Sequence, residues 1–179
     1  MIDTTLARRY AQALVEIGQE QDALDTYGQN LADLTQLMET SKAFREVLVN
    51  PVFTKEDKKG IAASVLEKTG TDPMVVNFIG LLIDKKRIDQ LIGIEQAFRE
   101  RVDEIRGITR GEVSSAEKLE DGDLNQVKEA LSKISGKQVI LTTQVDPSLI
   151  GGLTARVGDM VFDGTILTQL NQLKESLKG

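Results

Sequence analysis

The sequence predicts an all-α N-terminal six-helix bundle followed by a small α+β C-terminal domain. Apolar residues recur at steps of three and four through residues 1–106, and the rhythm then changes to alternation in the runs around Val139 and Leu153. Between those runs lies a Pro/Gly-bearing connection, Val145-Asp-Pro-Ser-Leu-Ile-Gly-Gly152. A period near 3.6 marks one buried face of a helix, and a period of two marks one face of a strand. The change of period near Arg106 to Gly111 sets the expected domains at 1–106 and 107–179.

The elements follow in order. Leu6, Tyr10, Ala13, Leu14 and Ile17 fall on one face of a first helix, and Leu24, Tyr27, Leu31, Leu34 and Met38 on one face of a second. Phe44, Val47 and Leu48 make a shorter third helix, which Pro51 stops near Asn50 because the residue before a proline is pushed out of the helical region. Thr54 and Asp57 form a capping-box variant ahead of a fourth helix carrying Ile61, Val65 and Leu66. Gly70 closes it, and Asp72-Pro73 opens the fifth as N-cap plus first-turn proline. A sixth runs from about Arg87 to Arg106 on Leu91, Ile94, Phe98, Val102 and Ile105.

The fifth helix differs from its neighbours. Val75, Phe78, Ile79 and Leu82 make one apolar face, and Val76, Leu81 and Ile83 widen it almost all round. Such a helix is either central to a core or covered on one side by a partner.

Beyond the boundary, a strand follows Gly107 and ends near Val113. A helix starts near Asp123 on Leu124, Val127, Leu131 and Ile134 and stops at Gly136. Val139, Leu141, Thr143 and Val145 then alternate, as do Leu153, Ala155 and Val157, with Gly151-Gly152 read as a tight bend between strands. Asp163-Gly164-Thr165 is turn and cap chemistry before a closing helix bearing Ile166, Leu170, Leu173 and Leu177.

Composition removes whole classes of function. The chain of 179 residues has no His and no Cys, which removes the commonest general base, the commonest metal ligand and all thiol chemistry. Aromatics are 4% and Trp is absent, so base-stacking platforms are not expected. The net charge of −6, with the acidic excess concentrated before Arg106, argues against a nucleic-acid partner. That charge also disfavours the rival reading as a helical RNA-binding factor. Met74 to Ile83 is too short to span a bilayer, and the N-terminus lacks a secretory pattern, so a soluble intracellular chain without direct bilayer insertion is expected.

The motifs that could carry chemistry are incomplete. Gly136-Lys137 lacks the earlier glycine and the following Ser or Thr of a phosphate loop. Asp163-Gly164-Thr165 has Val161 where a phospho-aspartate site needs a second Asp, and Asp121-Gly122-Asp123 lacks a calcium ladder. No catalytic, cofactor-binding or metal-binding residues are assigned. Lys85, Lys86 and Arg87 complement the C-terminal dipole of the fifth helix and are the best candidates for a basic contact.

With these residues read, the chain closely resembles the δ subunit family of bacterial F-type ATP synthase, relatives of the mitochondrial oligomycin-sensitivity-conferring protein. The resemblance runs end to end through Ala7-Arg-Arg-Tyr-Ala11 with Ala13-Leu14, Asn50-Pro51, and Leu82 through Leu91. Its most specific part is Val145 to Gly152 followed by Arg156-Val-Gly-Asp159 and Asp163-Gly164. Ala155 departs from the larger aliphatic common in the family at that place, which bears on local packing.

The resemblance implies a non-catalytic stator subunit, on the cytoplasmic face of the bacterial inner membrane, that couples rotation to ATP synthesis. It implies two partners, the N-terminal helix of an α subunit and the b subunits of the peripheral stalk. Carried onto this chain, the α-subunit contact is Tyr10, Ala11, Leu14, Val75, Val76, Ile79 and Leu82, between the first and fifth helices. The stalk contact is Ile166, Leu170, Leu173 and Leu177.

Overall fold

The computed structural model describes residues 4–149, 151–158, 160–166 and 168. The chain divides into two compact units, Met1–Val102 and Asp103–Gly179. The N-terminal part is helical and the C-terminal part is α+β.

The first unit contains α1 (Thr4–Glu20), α2 (Leu24–Thr40), α3 (Lys42–Val49), α4 (Lys55–Lys68) and α5 (Pro73–Asp84). A 3-10 turn at Ile88–Gln90 then leads into α6 (Leu91–Arg106), so the last predicted helix begins with one tighter turn. The local signals work as chemistry predicts. The Thr54 hydroxyl accepts from the Asp57 N–H at 3.1 Å while Asp57 accepts from the Thr54 N–H at 3.2 Å, a reciprocal capping box. Asp72 accepts from the Met74 N–H at 2.8 Å, and Pro73 occupies the first turn, where its missing N–H costs nothing.

Tyr27, Leu31, Leu34 and Met38 are buried as their periodicity predicts. In α1 the stripe is rotated: Ala7, Ala11, Leu14, Val15 and Gly18 are buried, while Ala13 is exposed and Tyr10 and Ile17 are half-buried. Small residues face inward because α2 comes close there; a Cβ on Gly18 would lie 2.9 Å from Leu24 Cδ2 and 3.1 Å from Tyr27 Cδ2. Ile61 and Ile105, expected inside, are 38% and 41% exposed.

The end of α5 stores strain. Lys86 has φ +57, and the Lys86 N–H donates to the Ile83 carbonyl at 3.0 Å and the Arg87 N–H to the Leu82 carbonyl at 2.8 Å. This is the Schellman pattern, in which the left-handed position normally holds glycine. Lys86→Gly is expected to raise stability by roughly 0.5–1 kcal/mol, the relief of left-handed strain less the greater freedom of unfolded glycine. A urea titration of both proteins measures it, and a lower midpoint in the variant contradicts it.

The second unit is a four-stranded sheet of order β2-β1-β3-β4, made of β1 (Ile108–Ser115), β2 (Gln138–Val145), β3 (Leu153–Val157) and β4 (Met160–Asp163). β1 and β2 are parallel, joined through α7 (Asp121–Ser135), and β3 lies antiparallel to both β1 and β4. Gly136 ends α7 with φ +66, as read from sequence. One sheet face carries Val113, Val139, Ala155 and Val157, which pack with Leu131 of α7 into a small core. Ile134, expected on the buried stripe of α7, is instead 59% exposed, and Thr143 and Val145 lie on the exposed end of β2.

Gly111 of β1 has no room for a side chain: a Cβ would meet Val157 Cγ2 at 2.7 Å and the Arg156 carbonyl oxygen at 2.9 Å. The adjacent Arg110 holds Asp103 through two nitrogens, Nε to Oδ2 at 2.5 Å and a terminal nitrogen to Oδ1 at 3.1 Å. Asp103 is only 9% exposed, and this paired geometry gives each of its carboxyl oxygens a charged donor.

Candidate interaction surfaces

Among the described residues no group of three or more Asp or Glu side chains is placed to hold a metal ion, and no buried side-chain N or O atom lacks a hydrogen-bond partner. The residues expected at the α-subunit contact lie on apolar helical surfaces of the first unit.

The seven residues expected between the first and fifth helices are divided by the structure. Ala11, Leu14, Val75, Ile79 and Leu82 are each at most 1% exposed and belong to the core of the first unit. Tyr10 and Val76 are half-buried at its edge. The Tyr10 ring meets Phe78 edge-on, with centroids 6.2 Å apart and planes at 74°, a favoured aromatic geometry that fixes α1 against α5.

Val76 lies on a different wall. It lines a cleft of about 440 Å³ between α4 and α5 with Ala62, Ala63, Leu66, Ile79, Gly80 and Leu81. The small residues of α4 and Gly80 open this space, and Leu81 is 43% exposed beside it. At one end the Lys59 ammonium donates to Asp84 Oδ2 at 2.6 Å. That hydrogen bond, with the positive charge behind it, holds the Asp84 carboxyl below the usual carboxylate range.

α5 thus carries more apolar surface than one face needs, and most of its residues expected at the contact lie on the core side. Leu81 is the large apolar residue of α5 that reaches solvent, and its signal was its place opposite Val75 and Ile79 on the helical wheel.

In the second unit, the stalk-contact expectation is only partly placed. Ile166 is 46% exposed, and its N–H donates to the Gly151 carbonyl at 3.1 Å. Leu170, Leu173 and Leu177 lie outside the described residues. Asp163 accepts from the Thr165 N–H at 2.9 Å and the Thr168 hydroxyl at 2.7 Å, and the first of these does most to hold its carboxyl below the usual range. The Thr165 hydroxyl accepts from the Thr168 N–H at 3.3 Å, so Asp163-Gly164-Thr165 is the turn and cap its residue types predicted.

Comparison with known proteins bears on the whole chain. A family model described as ATP synthase delta (OSCP) subunit matches residues 6–177. The chain is 40% identical to the ATP synthase subunit delta of Desulfosudis oleivorans over 99% of its own length and 97% of that protein's. It is 41% identical to the ATP synthase subunit delta of Geobacter metallireducens, with 99% of each chain covered. Among solved structures it is similar to a chain of the Toxoplasma gondii mitochondrial ATP synthase hexamer, with a TM-score of 0.71, 20% identity, and 97% and 98% of the two chains covered. At that identity the likeness speaks for the fold alone.

Proposed function

The chain belongs to the ATP synthase delta (OSCP) subunit family, and from that premise we propose that it holds the catalytic headpiece to the peripheral stalk without making or breaking bonds itself. It is a stator component of the F-type ATP synthase. The observation that carries this is the full-length match, which joins both units into one functional object.

In the proposed arrangement residues 1–106 bind the N-terminal helix of an α subunit and residues 107–179 meet the b subunits of the stalk. The complex would lie at the cytoplasmic face of the bacterial inner membrane with this subunit attached peripherally. No helix among the described residues is long and apolar enough to cross a membrane, which agrees with attachment through other subunits. A stator must resist torque while dissociating slowly. Two separate contacts on one chain do this, because once the first is made the second becomes intramolecular.

Burial separates the named residues into those that reach solvent and those that do not. Val76 and Leu81 offer surface to an incoming apolar helix at the α4–α5 cleft, while Tyr10 reaches solvent on the separate wall where α1 meets Phe78. Ala11, Leu14, Val75, Ile79 and Leu82 support that surface from beneath. An amphipathic helix lays its apolar face into such relief.

Calorimetry with a peptide copying the α subunit's N-terminus tests the contact. In the Val76→Asp, Leu81→Asp double variant, affinity is expected to fall by at least about tenfold, since two carboxylates would be desolvated against an apolar partner. Helical circular dichroism should match wild type because both positions reach solvent. Unchanged affinity in a folded variant would place the α-subunit contact elsewhere.

A further inference from the structure

A second cleft in the first unit is not absorbed by the stator contacts above. It has a volume of about 330 Å³ and lies where the α3–α4 connection meets the end of α5. Its floor is apolar, made by the buried side chains of Leu48, Ile83 and Ile88. Its wall includes Val49 and Phe53, which are 43% and 38% exposed, and Val52 in the same connection is 82% exposed.

The connection that presents these side chains is held in place. The Asn50 side chain accepts from the Val52 N–H at 3.0 Å, the Asn50 N–H donates to the Glu46 carbonyl at 2.8 Å, and the capping box fixes Thr54. The apolar groups are therefore preorganised outward, which lowers the ordering cost of binding.

The rim is positive. Lys55, Lys58 and Lys86 line the cleft, and Asp89 is the carboxylate there, already accepting from Gln90 Nε2 at 2.5 Å. Lys55 and Lys58 lie at the N-terminal end of α4, where the helix dipole disfavours cations, and Lys86 occupies a left-handed position that glycine would fill with less strain. On a chain whose net charge is −6, the charges of Lys55 and Lys58 are thus placed against the dipole of their helix. The charge of Lys86 suits the end of α5, and only its backbone is strained. Glu56 and Asp57 of the same α4 turn offset part of this charge, but neither lines the cleft.

We infer that this lysine-rimmed cleft is a docking site for an acidic protein segment that inserts a large apolar side chain over Leu48, Phe53 and Ile83. Charge complementarity selects the segment and steers its approach, while the apolar floor retains it.

The test uses the full chain and two synthetic helical peptides that share one Phe and two Leu on one face. One carries flanking glutamates and the other lysines in their place. The glutamate peptide should bind at least about tenfold more tightly than the lysine peptide and weaken as salt rises. It should also shift the resonances of Phe53 and of the Val49, Ile83 and Ile88 methyl groups. Lys55→Glu, Lys58→Glu, Lys86→Glu together should reverse the preference, and α4 should tolerate acidic residues in its first turn.

Equal affinity for the two peptides, no measurable binding of the glutamate peptide, or shifts confined to another face would overturn the assignment. So would tighter binding to vesicles containing anionic phospholipid than to the glutamate peptide. The α-subunit peptide and its Val76, Leu81 variant read a different cleft, so failure of one site leaves the other's result standing.

Discussion

Ile79→Asp is expected to leave the first unit unfolded at ambient temperature rather than folded and merely unable to bind. Ile79 is 1% exposed within the main core, so the substitution removes a buried aliphatic and introduces a group that cannot stay ionised without solvent or a partner. Loss of the aliphatic alone costs roughly 2–5 kcal/mol, the range measured for buried isoleucine or leucine to alanine. Burying an unpaired carboxyl adds several more, and together these are comparable to the whole stability of an ordinary domain, about 5–15 kcal/mol.

Ile79→Ala then supplies the contrast. It should remain folded with a lowered denaturation midpoint, because a cavity costs less than a desolvated charge. Circular dichroism and urea titration of wild type and both variants decide it. A folded Ile79→Asp protein with near-normal stability would mean that Ile79 faces solvent, and that the whole run of α5 residues belongs to the partner surface.

This prediction shows where the sequence was legible and where it was not. Signals that depend on one or two neighbouring residues were read correctly: the Thr54/Asp57 box, Asp72-Pro73, and the helix stop at Gly136, which the structure shows to be left-handed. Each is a local hydrogen-bonding or backbone requirement that tertiary packing does not alter. The facing of helices was less legible. Hydrophobic periodicity weighs Tyr10 and Ile17 above Ala7, Ala11 and Gly18, yet the small residues are the ones buried, because close approach of backbones rewards lack of volume.

Close packing also explains why most of the α5 residues expected at the contact are buried in the isolated chain. An apolar circumference says that the helix is covered, but it does not say which arc is covered by the chain itself. The structure assigns Val75, Phe78, Ile79, Leu82 and Ile83 to the chain's own core and leaves Val76 and Leu81 nearer solvent. β4 escaped the sequence for a different reason. Met160-Val161-Phe162 has no polar alternation, and the strand is defined by its pairing with β3, Ala155 opposite Phe162. The lysine-rimmed cleft was half-visible: Lys86 stood out with Lys85 and Arg87 as a candidate basic contact at the end of α5, whereas its meeting with Lys55 and Lys58 is made only by folding.

The paired glycines before β3 should behave unequally, and Gly152→Ala is expected to be the damaging change. Gly152 has φ +85, and a Cβ there would lie 2.4 Å from the Gly164 carbonyl oxygen and 2.9 Å from Thr165 Cα. Both obstacles are backbone, so relief requires moving the turn that follows β4. The left-handed penalty of roughly 1–2 kcal/mol adds to an overpacking cost of about 1–3 kcal/mol, for an expected loss of roughly 2–5 kcal/mol in the second unit. At Gly151 a Cβ would meet Ile166 Cδ1 at 2.5 Å, the far end of a flexible side chain that can rotate away. Gly151→Ala should therefore cost no more than about 1 kcal/mol. Hydrogen exchange at the Gly164 N–H, which donates to the Leu153 carbonyl at 2.9 Å, reports the difference directly. Faster exchange in Gly152→Ala than in Gly151→Ala is the expected order. Because Ile166 begins the proposed stalk-contact face, the same variant should weaken binding to b subunits while leaving the α-subunit peptide unaffected. Equal exchange in the two variants would show that the turn yields easily and that this glycine pair does not set the start of that face.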